Sequence, residues 1–116
     1  MPSRPPVDLT REIRGRRILS VFEEPAAFLV DGIWYHLPLG DFGWAGYEGH
    51  PFQGMLFSCP GCGEIGYCPL EGPGDKWGWD GNEDAPTLTP SIHSAPDKGG
   101  CGWHGFMTAG NFQLNR

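Results

Sequence analysis

Long hydrophobic runs are missing from this chain. No apolar stretch among its 116 residues approaches the roughly 18 needed to span a bilayer. The N-terminal "MPSRPPVDLTREIRGRR" lacks the apolar segment of a signal peptide. A cytoplasmic protein with no membrane partner is therefore expected, in a compartment where thiols stay reduced. A sustained 3.6-residue apolar period is also missing, which argues against a helical bundle, and there is no internal repeat. Positive charge is scarce. Residues 18–116 hold three basic and twelve acidic residues, a balance of −9, and residues 1–17 hold five arginines against Asp8 and Glu12, a balance of +3. Phosphate backbones are met by clustered positive charge, so nucleic acid has a foothold only on the N-terminal arm. The simpler reading of that arm, residues 1–15, is a solvated and flexible terminus.

What the chain does have is glycine and proline, 31 residues together, and five Trp, seven Phe and three Tyr. So many loop-formers dilute the core of a single domain of this size, while the aromatic side chains can fill a small one. The expected compromise is a mainly β domain over residues 16–116, with hairpins and long Gly/Pro-rich loops, stapled by a metal or by disulfides. Asp31-Gly32, set between β-prone runs, predicts a two-residue hairpin turn, with strands near Phe28–Val30 and Ile33–Leu37. "GMLFS", "EIGYCPL" and "KWGWD" read as further strands, "TLTPSIHS" as a β-prone segment bent at Pro90, and "WHGFMTAGNFQL" as a closing hairpin. Residues 40–53, "GDFGWAGYEGHPFQ", show neither period and read as an aromatic loop.

Three cysteines lie in "SCPGCGEIGYC" and the fourth opens "CGWH". A redox pair sits where a strand feeds a helix, and "GEIGYCPL" after Cys62 is a poor helix start. Disulfides call for an oxidising compartment. A metal explains more. Cys59-Pro60-Gly61-Cys62 has the form of a zinc-ribbon knuckle, and Cys101-Gly102-Trp103-His104 offers a second pair at the same spacing. Cys59, Cys62, Cys101 and His104 are thus the expected ligands of a closed, structural Zn2+ site. Cys68 or His93 stands as a replacement fourth ligand. The simpler reading of Cys68 is a small buried thiol.

"WGWDGNEDAPTLTPSI" concentrates aromatics, acids and Thr-Pro steps. A local turn built by Asp80 and Asn82 side chains accounts for it structurally. Alternatively, Trp79, Asp80, Asn82, Glu83 and Thr87 line a surface that binds a protein or a small polar ligand. A hydrolytic zinc enzyme needs an open coordination position and a base. Glu83 and His93 are available for that role, but their spacing does not require it. No H-x-E precedes the cysteine pair, which excludes the zinc deaminase signature.

Taken together, "CPGCGE", "WGWDGNEDAPTLTPSI" and "CGWHGFMTAG" resemble a family of small bacterial and phage proteins. Its pattern is CPxC, then WxWDG, then PTxTPS, then CxxH before a short final strand. Members are described as domains of unknown function, some under the label ammonia monooxygenase. Many relatives have a longer tail after the last His, and residues 1–50 of this chain do not match the pattern. The resemblance implies a zinc-containing β domain and no established reaction. The oxygenase label fits the residues poorly, because oxidation sites use His and carboxylate with open positions. The function expected is a non-enzymatic, zinc-stabilised module acting on a protein partner. The resemblance further implies a phage accessory or anti-defence role in the host cytoplasm. The rival expectations are a zinc-dependent hydrolase and a nucleic-acid module using the arginine arm.

Overall fold

The computed structural model describes residues 4–22 and 27–115, and these form a mainly β molecule. Twelve short strands make up two four-stranded sheets and two two-stranded ones. The first sheet has the order β1 (Ile13–Arg14), β12 (Asn111–Leu114), β11 (His104–Thr108), β10 (Ile92–His93). The second runs β2 (Arg16–Arg17), β5 (Asp41–Tyr47), β6 (His50–Ser58), β7 (Ile65–Pro69). β3 (Ala27–Val30) pairs with β4 (Ile33–His36), and β8 (Gly78–Trp79) with β9 (Leu88–Thr89). Between β10 and β11 lies a single 3-10 turn, Pro96–Lys98.

Both large sheets contribute to one core. Phe42, Met55, Phe57 and Cys68 come from the second sheet, and Ile92, Met107 and Phe112 from the first, with Leu88 and Trp103 between. Phe57 and Phe112 meet across the sheets with ring centroids 5.7 Å apart. Each is an inward residue in a strand whose side chains alternate between faces.

The N-terminal segment belongs to this body. Its path crosses from one sheet to the other at Gly15, whose N–H donates to the Gly110 carbonyl at 2.8 Å. A side chain there would press to 2.6 Å from that oxygen, so the crossing requires glycine. Arg16 forms a two-point bond to the buried carboxylate of Asp41, at 2.9 and 2.7 Å, and Asp41 also meets the buried ring of His36 at 3.0 Å. Arg17 reaches Glu83 and Asp84, Arg11 donates to the Pro60 carbonyl, and Arg4 lies over the Tyr35 ring. These guanidiniums are engaged with the body.

The Asp31-Gly32 turn stands as expected, with φ of 50° and 81°, as does the closing hairpin around Ala109-Gly110. The aromatic loop expected at residues 40–53 is instead the β5–β6 hairpin. Its glycines obscured the alternation. Gly43, Gly46 and Gly54 occupy places where a side chain would run into Ser20, the Pro51 backbone or the Tyr67 ring. They are packing positions within strands.

Candidate functional site

The first cluster grows out of the end of β6. After Ser58 the chain folds back through Cys59-Pro60-Gly61-Cys62: Gly63 N–H donates to the Cys59 carbonyl at 2.7 Å and Cys59 N–H to the Glu64 carbonyl at 3.0 Å. The positive φ of Gly63, 81°, completes the turn. Backbone N–H groups then point at sulfur, Glu64 at Cys62 and Trp103 at Cys101, each at 3.4 Å. The sulfurs of Cys59, Cys62 and Cys101 all lie within 4.8 Å of one another, and those of Cys59 and Cys101 are 3.7 Å apart. Hydrogen bonding from Cys62 draws the Cys59 thiol down to about 5, and the same bond, with burial, pushes Cys62 up. Burial raises Cys101. A cation among the three sulfurs would favour the ionised form of each. These three cysteines could hold a metal ion.

His104 is not part of that group; among the described residues it comprises the three cysteines. The expected second knuckle does not form because the backbone of Cys101–His104, with Gly102 at φ 101°, is held against Ser94 and does not fold back on itself. Gly102 N–H donates to the Ser94 carbonyl at 2.8 Å and Ser94 N–H to the Trp103 carbonyl at 2.9 Å. This pairing sets two residues, Gly102 and Trp103, opposite the single Ser94, the form of a β-bulge, and His104 leaves it to open β11. Cys68 is buried in the core, and burial alone raises its thiol to about 12. His93 is exposed and stacks on His104, ring centroids 4.7 Å apart.

What His104 meets instead is Ser91. Its Nε2 lies 2.8 Å from the Ser91 hydroxyl, and its Nδ1 is 3.2 Å from the side-chain amide of Asn115. The sheet makes this arrangement. In β10–β11, His93 pairs with His104 and Ile92 with Gly105. Alternation places Ser91 and His93 on one face of β10, toward His104, and Ile92 on the core face. On the other side of β11, Asn115 N–H donates to the His104 carbonyl at 3.1 Å. Ser91 just before β10, His104 at the start of β11 and Asn115 just after β12 therefore stand in a row across the sheet, partly open to solvent. A cleft of about 230 Å³ opens beside His93, with Tyr67, Trp77 and Lys98 in its wall. The buried indole N–H of Trp77 in that wall has no partner among the described residues.

The loop after Trp79 uses its polar groups internally. One Asp80 oxygen accepts from the N–H of Asn82 and of Thr87, at 3.0 and 3.2 Å. Asn82 Oδ1 accepts from Asp84 and Ala85 N–H, and the Trp79 indole donates to the Asn82 carbonyl. Thr87 Oγ1 accepts from Ala109 N–H, and Glu83 pairs with Arg17. Trp79, Asp80, Asn82, Glu83 and Thr87 are thus brought together, but as the framework of a turn. Trp79 stacks into Trp44 and Phe52 behind it.

Reasoning from sequence missed Ser91 and Asn115. Ser91 is the serine of the "TPS" step, but its partnership with a histidine 13 positions away depends on strand register, which spacing does not display. No helix among the described residues is long and apolar enough to cross a membrane. The model of the bacterial ubiquitination-like system serine protease family (BubE) matches residues 30–115, and the chain belongs to that family. No curated protein and no solved structure matches. The family overturns the expectation of a non-enzymatic binding module: its description is that of a protease, and the rival expectation of a hydrolase is the nearer one.

Proposed function

We propose that this member of the BubE family is a serine peptidase acting on a polypeptide within a bacterial ubiquitination-like system, with Ser91 as nucleophile. The observation that carries this reading is the 2.8 Å bond between Ser91 Oγ and His104 Nε2. A serine hydroxyl is a weak nucleophile until a base takes its proton, and a nucleophile–base bond with a third group orienting the base is the arrangement that activates it. His104 is that base. Asn115 is the orienting group, since its amide can rotate to present oxygen to an Nδ1–H. Ser91 Oγ attacks the scissile carbonyl as His104 takes its proton. His104 then gives that proton to the departing amine, leaving an acyl group on Ser91. Water, deprotonated by the same imidazole, releases the acyl group as a carboxylate and restores the hydroxyl.

Cys59, Cys62 and Cys101 fit a structural zinc ion: thiolates are its preferred ligands, and the 3.7 Å sulfur separation is near the roughly 3.8 Å edge of a tetrahedron with Zn–S bonds of about 2.3 Å. Bound there, zinc would crosslink the β6–β7 turn to the segment that leads into β11, at whose start His104 stands. The test is an acyl-ester substrate such as p-nitrophenyl acetate. A burst of nitrophenol equal to the enzyme concentration, absent in Ser91→Ala, supports the reading; an undiminished burst in Ser91→Ala contradicts it.

A further inference from the structure

We propose that Ser94 is the fourth ligand of the metal held by Cys59, Cys62 and Cys101, its hydroxyl oxygen completing a tetrahedron of three sulfurs and one oxygen. This rests on the metal reading above and deepens it. His104, the fourth ligand suggested by spacing, faces Ser91, so a trio of sulfurs is left with one corner to fill. Ser94 Oγ lies 3.3 Å from Cys59 Sγ. In a tetrahedral site with Zn–S near 2.3 Å and Zn–O near 2.0–2.2 Å, an oxygen–sulfur edge is about 3.5 Å. Together with the Cys59–Cys101 separation of 3.7 Å, one edge of each kind is close to the length an ion imposes.

The backbone keeps Ser94 there. It is clamped on both sides of Gly102, through Ser94 N–H to the Trp103 carbonyl at 2.9 Å and Gly102 N–H to the Ser94 carbonyl at 2.8 Å. Strand alternation explains why one short segment serves two sites: Ser91 and His93 face the nucleophile side, while Ile92 and Ser94 face the core and the thiols. Ligation uses a lone pair of the neutral hydroxyl and calls for no redox partner. The metal then grips the segment that carries the nucleophile directly, three residues beyond Ser91.

The test uses the whole chain loaded with zinc for X-ray absorption and with cobalt(II) for visible spectroscopy, as the unmodified protein, Ser94→Cys and Ser94→Ala. The inference expects a three-sulfur, one-oxygen shell with no imidazole scattering in the unmodified protein. Ser94→Cys should give a four-sulfur shell and raise the thiolate-to-cobalt charge-transfer absorbance by about one third, one soft ligand being added to three. Ser94→Ala should bind zinc about ten- to a hundredfold more weakly, the range typical of losing a group that supports a metal. Imidazole in the unmodified shell, or a three-sulfur shell in Ser94→Cys, overturns the assignment of Ser94. Failure of all three proteins to take up zinc or cobalt overturns the metal reading itself, a separate failure.

Discussion

The two ends of Cys101-Gly102-Trp103-His104 go to different places. Cys101, itself half-buried, turns toward the buried thiols of Cys59 and Cys62, and His104 opens β11 and meets Ser91 on the other side of the sheet. Cys59-Pro60-Gly61-Cys62 has the same spacing, and both of its ends stay together. The difference lies in the backbone between. In the first pair the chain folds back on the Cys59 carbonyl; in the second it is held against Ser94 and leads on into β11. Equal spacing makes a chelate only where the intervening residues turn. Where they lead on into a strand, it delivers two side chains to two places, here a thiol to the trio that could hold a metal and an imidazole to a serine hydroxyl.

Loss of the crosslink should have the largest effect. Structural zinc contributes roughly 10 kcal/mol or more of apparent binding free energy to folding, more than the whole stability of many small domains. Cys59→Ser, Cys62→Ser and Cys101→Ser should each lose metal and the cooperative thermal transition, as should the unmodified protein stripped by a strong chelator. A cooperative transition at an unchanged temperature in the stripped protein would show that the thiols are not structural.

His104→Ala separates the two ends most sharply. It should keep full metal content and near-normal melting while lowering acylation of Ser91 by about 10²- to 10⁴-fold, the usual contribution of a positioned base. Metal loss in this variant would return His104 to the ligand set. Asn115→Ala should lower the same rate by less than His104→Ala does, because it orients the base without touching the nucleophile. A rate equal to that of the unmodified protein would remove Asn115 from the site.

The smallest effect belongs to Cys68, a cysteine outside both sites. Its folded thiol is raised to about 12 by burial, so the folded state holds that proton more tightly than the unfolded chain does. The resulting stability is fully present below the ordinary thiol value near 9 and is lost as pH rises from there toward 12. Denaturant titrations at pH 8 and pH 10 should show a smaller pH-dependent loss in Cys68→Ala than in the unmodified protein. Equal losses would mean that burial does not hold the Cys68 proton.

Local signals read well from the sequence and register did not. The Asp31-Gly32 turn, the closing hairpin and the Cys59–Cys62 knuckle are each specified within a few residues, by φ preferences or by a tight turn. The β5–β6 hairpin was hidden because Gly43, Gly46 and Gly54 stand where neighbours leave no room for a side chain, which erased the apolar alternation. The residues of the Trp79 loop looked like a recognition surface because Asp, Asn and Thr serve turns and ligands equally well. Ser91, His104 and Asn115 come together only through the pairing of β10, β11 and β12. No local pattern encodes that pairing.

The central claim is that His104 activates Ser91 rather than binding metal, and it is tested most directly by covalent labelling with a fluorophosphonate, followed by peptide mapping and metal analysis of the same samples. The unmodified protein should carry a single adduct on Ser91; Ser91→Ala should carry none, and His104→Ala should label far more slowly with its metal content intact. An adduct on another serine, or labelling of His104→Ala at the unmodified rate, would contradict the account.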